Sequence, residues 1–114
     1  MQDHPSEEIE ENIFAIAHHL NLAKADLKGD PLEQNRLVKI NLAASKKAKI
    51  ANAYEVAGNY LDIALSLLTP SAWQDNYSLT LAVYLEATEV QYLQGNFTHA
   101  EYLGNIVLTQ AKKK

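Results

Sequence analysis

Cysteine is absent from this 114-residue chain, which excludes disulfides, thiolate metal sites and cysteine nucleophiles. No apolar run approaches the ~20 residues that a membrane-spanning helix needs. The first eight residues are acidic and polar, whereas a secretory signal peptide would be basic and then apolar. We therefore expect a cytoplasmic protein without a membrane partner.

Catalytic motifs are missing as well. The sequence has no glycine-rich kinase loop, no His-Arg-Asp or Asp-Phe-Gly, and no Gly-x-x-x-x-Gly-Lys-Ser/Thr phosphate loop. His18 and His19 are adjacent, so on a helix they diverge by ~100° and cannot share a metal. Glu86 and Glu89 share a helix face and could do acid–base work, but they are interpreted as part of a solvated polar stripe. We predict no enzyme, no cofactor and no metal site, and keep an enzyme only as the third hypothesis.

The charge is unevenly distributed. The net charge is −4, yet residues 34–49 carry five basic side chains and no acid, while both flanking segments are acidic. Nucleic-acid-binding domains are usually basic overall, with interleaved aromatic residues. The basic segment is therefore interpreted as the solvated face of a helix, and no nucleic-acid partner is expected.

No segment alternates with a period of two, whereas apolar residues recur at steps of three and four along most of the chain. This spacing predicts an all-α fold of about five helices. The first is expected to be capped by Ser6 and to stop at Gly29, with Lys24 and Lys28 in its last turn. The others are expected at about 31–49 (after the Asp30-Pro31 start), 53–68, up to 94, and from 97, with turns at Asn52 and Gly95-Asn96. A capping box at Ser71–Gln74 is expected either to open a short turn that Asp75-Asn76 interrupts or to start the fourth helix directly.

A short pattern occurs twice, as Asn52-x-Tyr54-x-x-Ala57 and as Gly95-x-Phe97-x-x-Ala100. In each copy a turn residue is followed by an aromatic, which would wedge between two helices, and by an alanine that lets them approach. The pattern resembles the second half of a tetratricopeptide motif. The resemblance implies one module over residues 1–114, folded as a short right-handed solenoid. Its parts would be a leading helix (1–29), a first hairpin (30–70) and a second hairpin (71–114).

A wider resemblance covers most of the chain. The chain is similar to the helical region of cyanobacterial-type AAA/STAND ATPase multi-sensor kinases, which combine Ser/Thr kinase, ATPase, GAF and histidine kinase domains. The matching stretches are Glu8–Asn21, Asn41–Lys49, Ala53–Ala57, Leu67–Pro70, Trp73-Gln74 and Tyr92–Phe97. Ser45 stands where that family usually has glycine. The chain matches only the helical region of that family. The resemblance therefore implies either a piece of a larger signalling protein or a short protein that consists of the helical repeat alone.

Two binding roles follow from these patterns. One is a non-catalytic scaffold that links domains or binds a protein partner, and the apolar edge of its uncapped last helix is expected to be either exposed or covered by a second copy of the chain. The other is a stand-alone adaptor that binds an extended peptide. Trp73 either anchors its loop over the neighbouring helices or faces a partner. The predicted partner-facing residues are Asn41, Lys49, Trp73, Tyr84, Leu103, Val107 and Leu108.

Overall fold

The computed structural model describes residues 12–23 and 30–113, with side chains up to residue 111. Within these ranges the chain is all-helical and has no strand, which confirms the all-α prediction. The described residues form six helices, where the sequence predicted about five. They are α1 (Ile13–Leu22), α2 (Pro31–Ile50), α3 (Tyr54–Leu67), α4 (Ala72–Asp75), α5 (Tyr77–Leu93) and α6 (Phe97–Lys113). The expected cap at Ser6 and the helix end at Lys24–Gly29 lie outside the described residues.

The additional helix is α4, a single turn in the connection between α3 and α5. Asn76 adopts φ −150° and ψ 70°, which no helix continues through, so α5 begins afresh at Tyr77. The hydroxyl of Thr80 donates a hydrogen bond of 3.1 Å to the carbonyl of Ala72 and holds α4 against α5. The connection between α3 and α5 therefore has a defined structure.

The two predicted helix starts have different outcomes. The carboxylate of Asp30 accepts a hydrogen bond of 3.3 Å from the backbone N–H of Glu33, and Pro31 occupies the first turn, as expected. The capping box at Ser71 is wrong, because that side chain makes no capping hydrogen bond. Its hydroxyl donates to the carboxylate of Asp75 at 2.6 Å instead.

The turn between α2 and α3 is a Schellman motif. Asn52 has φ 64°, a left-handed conformation that asparagine tolerates better than most residues. The N–H of Asn52 donates to the carbonyl of Lys49 at 2.9 Å, and the N–H of Ala53 donates to the carbonyl of Ala48 at 2.8 Å. This pair of bonds satisfies carbonyls that the end of a helix would leave unpaired.

The turn between α5 and α6 repeats this geometry 43 residues further along the chain. Gly95 has φ 83°. Its N–H donates to the carbonyl of Tyr92 at 3.0 Å, and the N–H of Asn96 donates to the carbonyl of Gln91 at 2.9 Å. Every atom pair has its counterpart in the first turn, so the hairpins α2–α3 and α5–α6 share one backbone register.

The predicted aromatic wedge is wrong at the second turn. The alanines behave as expected, since Ala57 and Ala100 are buried where their helices approach. Tyr54 is half-buried, and its hydroxyl donates to the side chain of Asn52 at 3.1 Å. Phe97 is exposed and packs edge-on against Tyr92, with ring centroids 5.1 Å apart. Phe97 therefore packs on the outside of the end of α5. At this turn the small alanine, and not the aromatic residue, lies between the two helices.

The core lies on both sides of α3. On one side Tyr60 stacks on Phe14 of α1, with ring centroids 5.8 Å apart. On the other side Gly58 lies against Val90 of α5. The main cluster of buried side chains consists of Val38, Leu42, Ala48, Ala57, Leu61, Ala64, Val83, Ala87, Val90 and Leu103. The abundance of alanine allows close helix packing, so the second hairpin is held firmly against the first.

Candidate interaction surface

Large apolar side chains are exposed on one side of the second hairpin. Leu85 and Tyr92 of α5 are 51% and 63% exposed, and Phe97 and Leu108 of α6 are 59% and 62% exposed. Scattered exposed apolar residues are normal, but a contiguous set indicates an interaction site. We define the outer face as Leu85, Thr88, Tyr92, Phe97, Glu101, Gly104 and Leu108.

These residues form one surface, because steps of three and four place them on one side of each helix. The rings of Tyr92 and Phe97 join the two helices near the turn. Further along, a Cβ atom at Gly104 would lie 3.8 Å from Cγ2 of Thr88, so the helices are also close at this point. Between these contacts runs an open groove, lined by Thr88, Tyr92, Phe97, Ala100 and Glu101.

The three predicted partner-facing residues of the last helix differ in how far they are buried. Leu103 is 4% exposed and belongs to the main core cluster, so its prediction as a partner contact is wrong. Val107 is half-buried, and Leu108 is exposed on the outer face. The sequence pattern identified an apolar helix but could not tell which of its two apolar sides faces the neighbouring helix.

Asn41 is also buried, so it offers no side-chain surface to a partner. Its amide N–H donates to the side-chain oxygen of Asn21, and the amide of Asn21 donates in return, both at 2.9 Å. Asn41 also donates to the carbonyl of Leu37 at 2.9 Å. These bonds satisfy a polar group in the core and set the position of α1 along α2.

Lys49 is half-buried and forms an internal ion cluster. Its ammonium group lies 2.8 Å from a carboxylate oxygen of Glu86 and 3.2 Å from one of Glu89. Contact with Glu86 is the main cause that raises the pKa of Lys49, while burial acts in the opposite direction. The interpretation of Glu86 as a solvated residue is wrong, because Glu86 is buried at the contact between α2 and α5.

Trp73 and Tyr84 belong to an aromatic cluster over the connection between α3 and α5. The ring of Trp73 lies 5.6 Å from that of Tyr77 and 5.1 Å from that of Tyr84. Burial, and secondarily Tyr102, raises the pKa of the Tyr84 phenol. Trp73 is half-buried, so one part of it anchors α4 while the rest remains available to solvent.

Other candidates for chemistry are not gathered into a site. His18 and His19 are both exposed on α1. Among the described residues, no group of three histidine or acidic side chains could hold a metal ion. Within the same part of the chain, no helix is both long and apolar enough to cross a membrane.

Sequence reasoning missed most of the outer face, namely Leu85, Tyr92 and Phe97 as exposed neighbours. A signal for it was present in the 43-residue repeat. In that register Leu85 is the counterpart of Leu42, which is buried in the core cluster together with residues of α5. A residue that is covered in one hairpin and has no covering helix in the next is a candidate for an interaction.

Comparison with known proteins gives one relationship. The chain is 30% identical over 111 residues to the hybrid signal transduction histidine kinase G of Dictyostelium discoideum. The match covers 90% of this chain but spans only 3% of the length of that relative. No known protein-family profile matches the chain. No solved structure matches it. The chain is thus related to a short segment of a signal-transduction protein.

Proposed function

We propose that the chain is a non-catalytic helical-repeat module of a cytoplasmic signal-transduction protein, in which it links domains or binds a protein partner. The observation that carries this proposal is the outer face, where apolar side chains of α5 and α6 lie exposed side by side. A repeat architecture presents such a surface because each hairpin buries its apolar face against the next.

The shared register of the two hairpins supports a tetratricopeptide-like solenoid within this proposal. Equivalent Schellman turns at Asn52 and Gly95 give both hairpins the same backbone geometry at the turn. The relationship to a short segment of a histidine kinase supports a place in a signalling protein. The resemblance to the helical region of AAA/STAND ATPase multi-sensor kinases favours a place between catalytic and sensor domains.

The stand-alone peptide adaptor has less support. It would need a polar groove lined by residues such as Asn41, Lys49 and Tyr84. Asn41 is buried and hydrogen-bonded to Asn21, and Lys49 is engaged by Glu86. Two of the three expected groove residues therefore have internal partners, so we favour the scaffold.

Site-specific photo-crosslinking in the host cell tests the scaffold. A benzophenone amino acid replaces Tyr92 on the outer face or, as the control, Ile50, which is 81% exposed on α2. We expect light-dependent adducts from position 92 with a domain of a signalling protein, identified by mass spectrometry, and none of these from position 50. The same adducts from both positions, or none from position 92, would contradict the proposed function.

A further inference from the structure

The 43-residue register pairs each residue of the outer face with a position on the first hairpin. In chain order the pairs are Leu85 with Leu42, Thr88 with Ser45, Tyr92 with Lys49, Phe97 with Tyr54, Glu101 with Gly58, Gly104 with Leu61, and Leu108 with Leu65. The pairing extends along the helices because each helix runs unbroken into or out of its turn. The burial of the seven positions can therefore be compared between the two hairpins.

In the first hairpin this surface is covered by α5. Leu42 and Leu61 are buried in one cluster with Val83 and Val90 of α5. Gly58 also packs against α5, because a Cβ atom there would lie 3.8 Å from a methyl of Val90 and 2.6 Å from the amide nitrogen of Gln94. The ion pairs of Lys49 with α5 lie on the same surface. The helix α5 thus lies over Leu42, Lys49, Gly58 and Leu61.

In the second hairpin the equivalent surface is uncovered within the described part of the chain. Leu42 is 8% exposed, whereas its counterpart Leu85 is 51% exposed. Gly58 is buried, and its counterpart Glu101 is exposed. Each hairpin has large apolar side chains at several of the seven positions, but within the described part of the chain only the first hairpin has a helix lying on them.

We propose that the outer face binds an amphipathic helix with the character of α5, aligned across α5 and α6 as α5 itself is aligned across α2 and α3. This inference rests on the proposed interaction module and names its partner class. The binding helix presents small and β-branched side chains at steps of three and four, as α5 does with Val83, Ala87 and Val90. Side chains of this size allow helices to approach closely.

Differences between the two surfaces define the binding helix further. Tyr92 stands where the first hairpin has Lys49, the partner of Glu86. The binding helix is therefore expected to carry an apolar residue at the position that corresponds to Glu86. Gly104 replaces Leu61, which leaves room for a larger side chain opposite. Glu101 stands where the first hairpin has Gly58, and the amide of Gln94 from α5 lies beside Gly58. At the position that corresponds to Gln94, the binding helix is therefore expected to carry a lysine or arginine, which can pair with Glu101.

A second copy of the chain fits this face less well than a separate helix. The helix that matches is α5, and in each copy α5 is already packed between α3 and α6. A second copy could present α5 only by opening its own core around Val83 and Val90. The occupant is therefore an additional helix that a partner protein supplies.

A tethered helix tests the proposal on the full chain. A flexible linker of the same length as segment 68–76 follows Lys114 and leads to a second copy of residues 77–94. In this copy the equivalent of Glu86 is alanine and that of Gln94 is lysine. The matched control carries aspartate at the copied positions of Val83, Ala87 and Val90. Tethering raises the effective concentration of the helix to about the millimolar range, so weak docking becomes measurable.

The chain has no cysteine, so one introduced thiol reports coverage through its rate of maleimide labelling. Leu108→Cys reports on the outer face, and Leu32→Cys, which is 79% exposed on α2, is the reference. We expect the helix copy to slow labelling at position 108 by about tenfold or more relative to the aspartate control. Labelling at position 32 should be the same in both chains.

Three results would overturn the proposal. The first is equal labelling at position 108 in the two extended chains. The second is protection at position 108 in the unextended chain that grows with protein concentration, which would identify a second copy as the occupant. The third is exposure of a thiol at Val83→Cys by the helix copy, which would mean that the copy displaces α5. Failure of helix docking leaves the photo-crosslinking result intact, so the two proposals fail separately.

Discussion

Lys49 at the end of α2 and Glu86 in the middle of α5 are joined by an ion pair of 2.8 Å across the two hairpins. The Glu86 side chain is 9% exposed and that of Lys49 is 23% exposed, so the pair is largely removed from water. A buried charge that lacks its partner strongly lowers the free energy of unfolding. The pair therefore favours the one alignment of the hairpins that brings both groups together.

Removal of Lys49 should destabilise the protein. In Lys49→Met the buried carboxylate of Glu86 loses its counter-charge, and we expect a loss of about 1–3 kcal/mol in the free energy of unfolding, measured with urea. The control is Arg36→Met, because the Arg36–Glu33 pair is exposed and should contribute less than about 0.5 kcal/mol. The double variant Lys49→Met/Glu86→Gln should be more stable than Lys49→Met alone. Equal effects of the lysine and arginine substitutions would contradict the finding.

Alkaline pH should weaken the fold. The pKa of Lys49 is raised above 10.5 by Glu86, and the pKa of Tyr84 is raised above 10.0 by burial. Both groups keep their protons longer in the folded state, so their contribution is complete below about pH 10 and is lost as pH rises through the folded values. Urea midpoints measured from about pH 8 to 12 should fall. Lys49→Met and Tyr84→Phe should each flatten this decline, and an unchanged decline in the double variant would contradict the assignment.

Two helical glycines should respond differently to alanine. In Gly104→Ala the new Cβ lies 3.8 Å from Thr88, an ordinary contact, so we expect a gain of about 0.5–1 kcal/mol from helix propensity. In Gly58→Ala the Cβ would lie 2.6 Å from the amide of Gln94, which must move. That amide is the far end of a flexible side chain and can move at little cost, so this variant should be only slightly less stable than Gly104→Ala in thermal unfolding, by about 0.5 kcal/mol. Gln94→Ala should relieve the difference, and persistence of the full difference in that background would refute the contact.

Leucine truncations on α6 should separate core from surface. Leu103→Ala leaves a cavity in the main cluster and should cost about 2–5 kcal/mol. Leu108→Ala removes an exposed side chain and should change stability by no more than about 0.5 kcal/mol. Chemical denaturation of both variants measures the contrast. Similar losses at the two positions would mean that the outer face is covered in the free protein.

The paired amides of Asn21 and Asn41 should be energetically coupled. Asn41→Ala leaves its partner without the reciprocal bond, and we expect a loss of about 1–3 kcal/mol. Asn21→Ala should cost less, because Asn41 keeps its bond to the carbonyl of Leu37. A double-mutant cycle measures the coupling. Additive effects would show that the pair does not hold α1 in place.

Local features of the sequence were sufficient for the start of α2 and for the turns of the two hairpins. Asp30-Pro31 predicts the start of α2, and Asn52 and Gly95 predict the two turns, because each depends on backbone preferences of a few neighbouring residues. Ser71 shows the limit of such reasoning. Its hydroxyl could bond either to a backbone N–H of the first turn of α4 or to the side chain of Asp75. In the structure it bonds to Asp75.

Burial was decided by the tertiary structure. Leu103 and Leu108 are both leucines on one helix, yet one lies in the core and the other in water, because α6 has a neighbour on only one side in the described structure. Glu86 is buried because α2 brings Lys49 to it, and Phe97 is exposed because no described helix covers the second hairpin as α5 covers the first. A sequence determines which residues can form an apolar or charged face, whereas the packing of distant segments determines which faces meet.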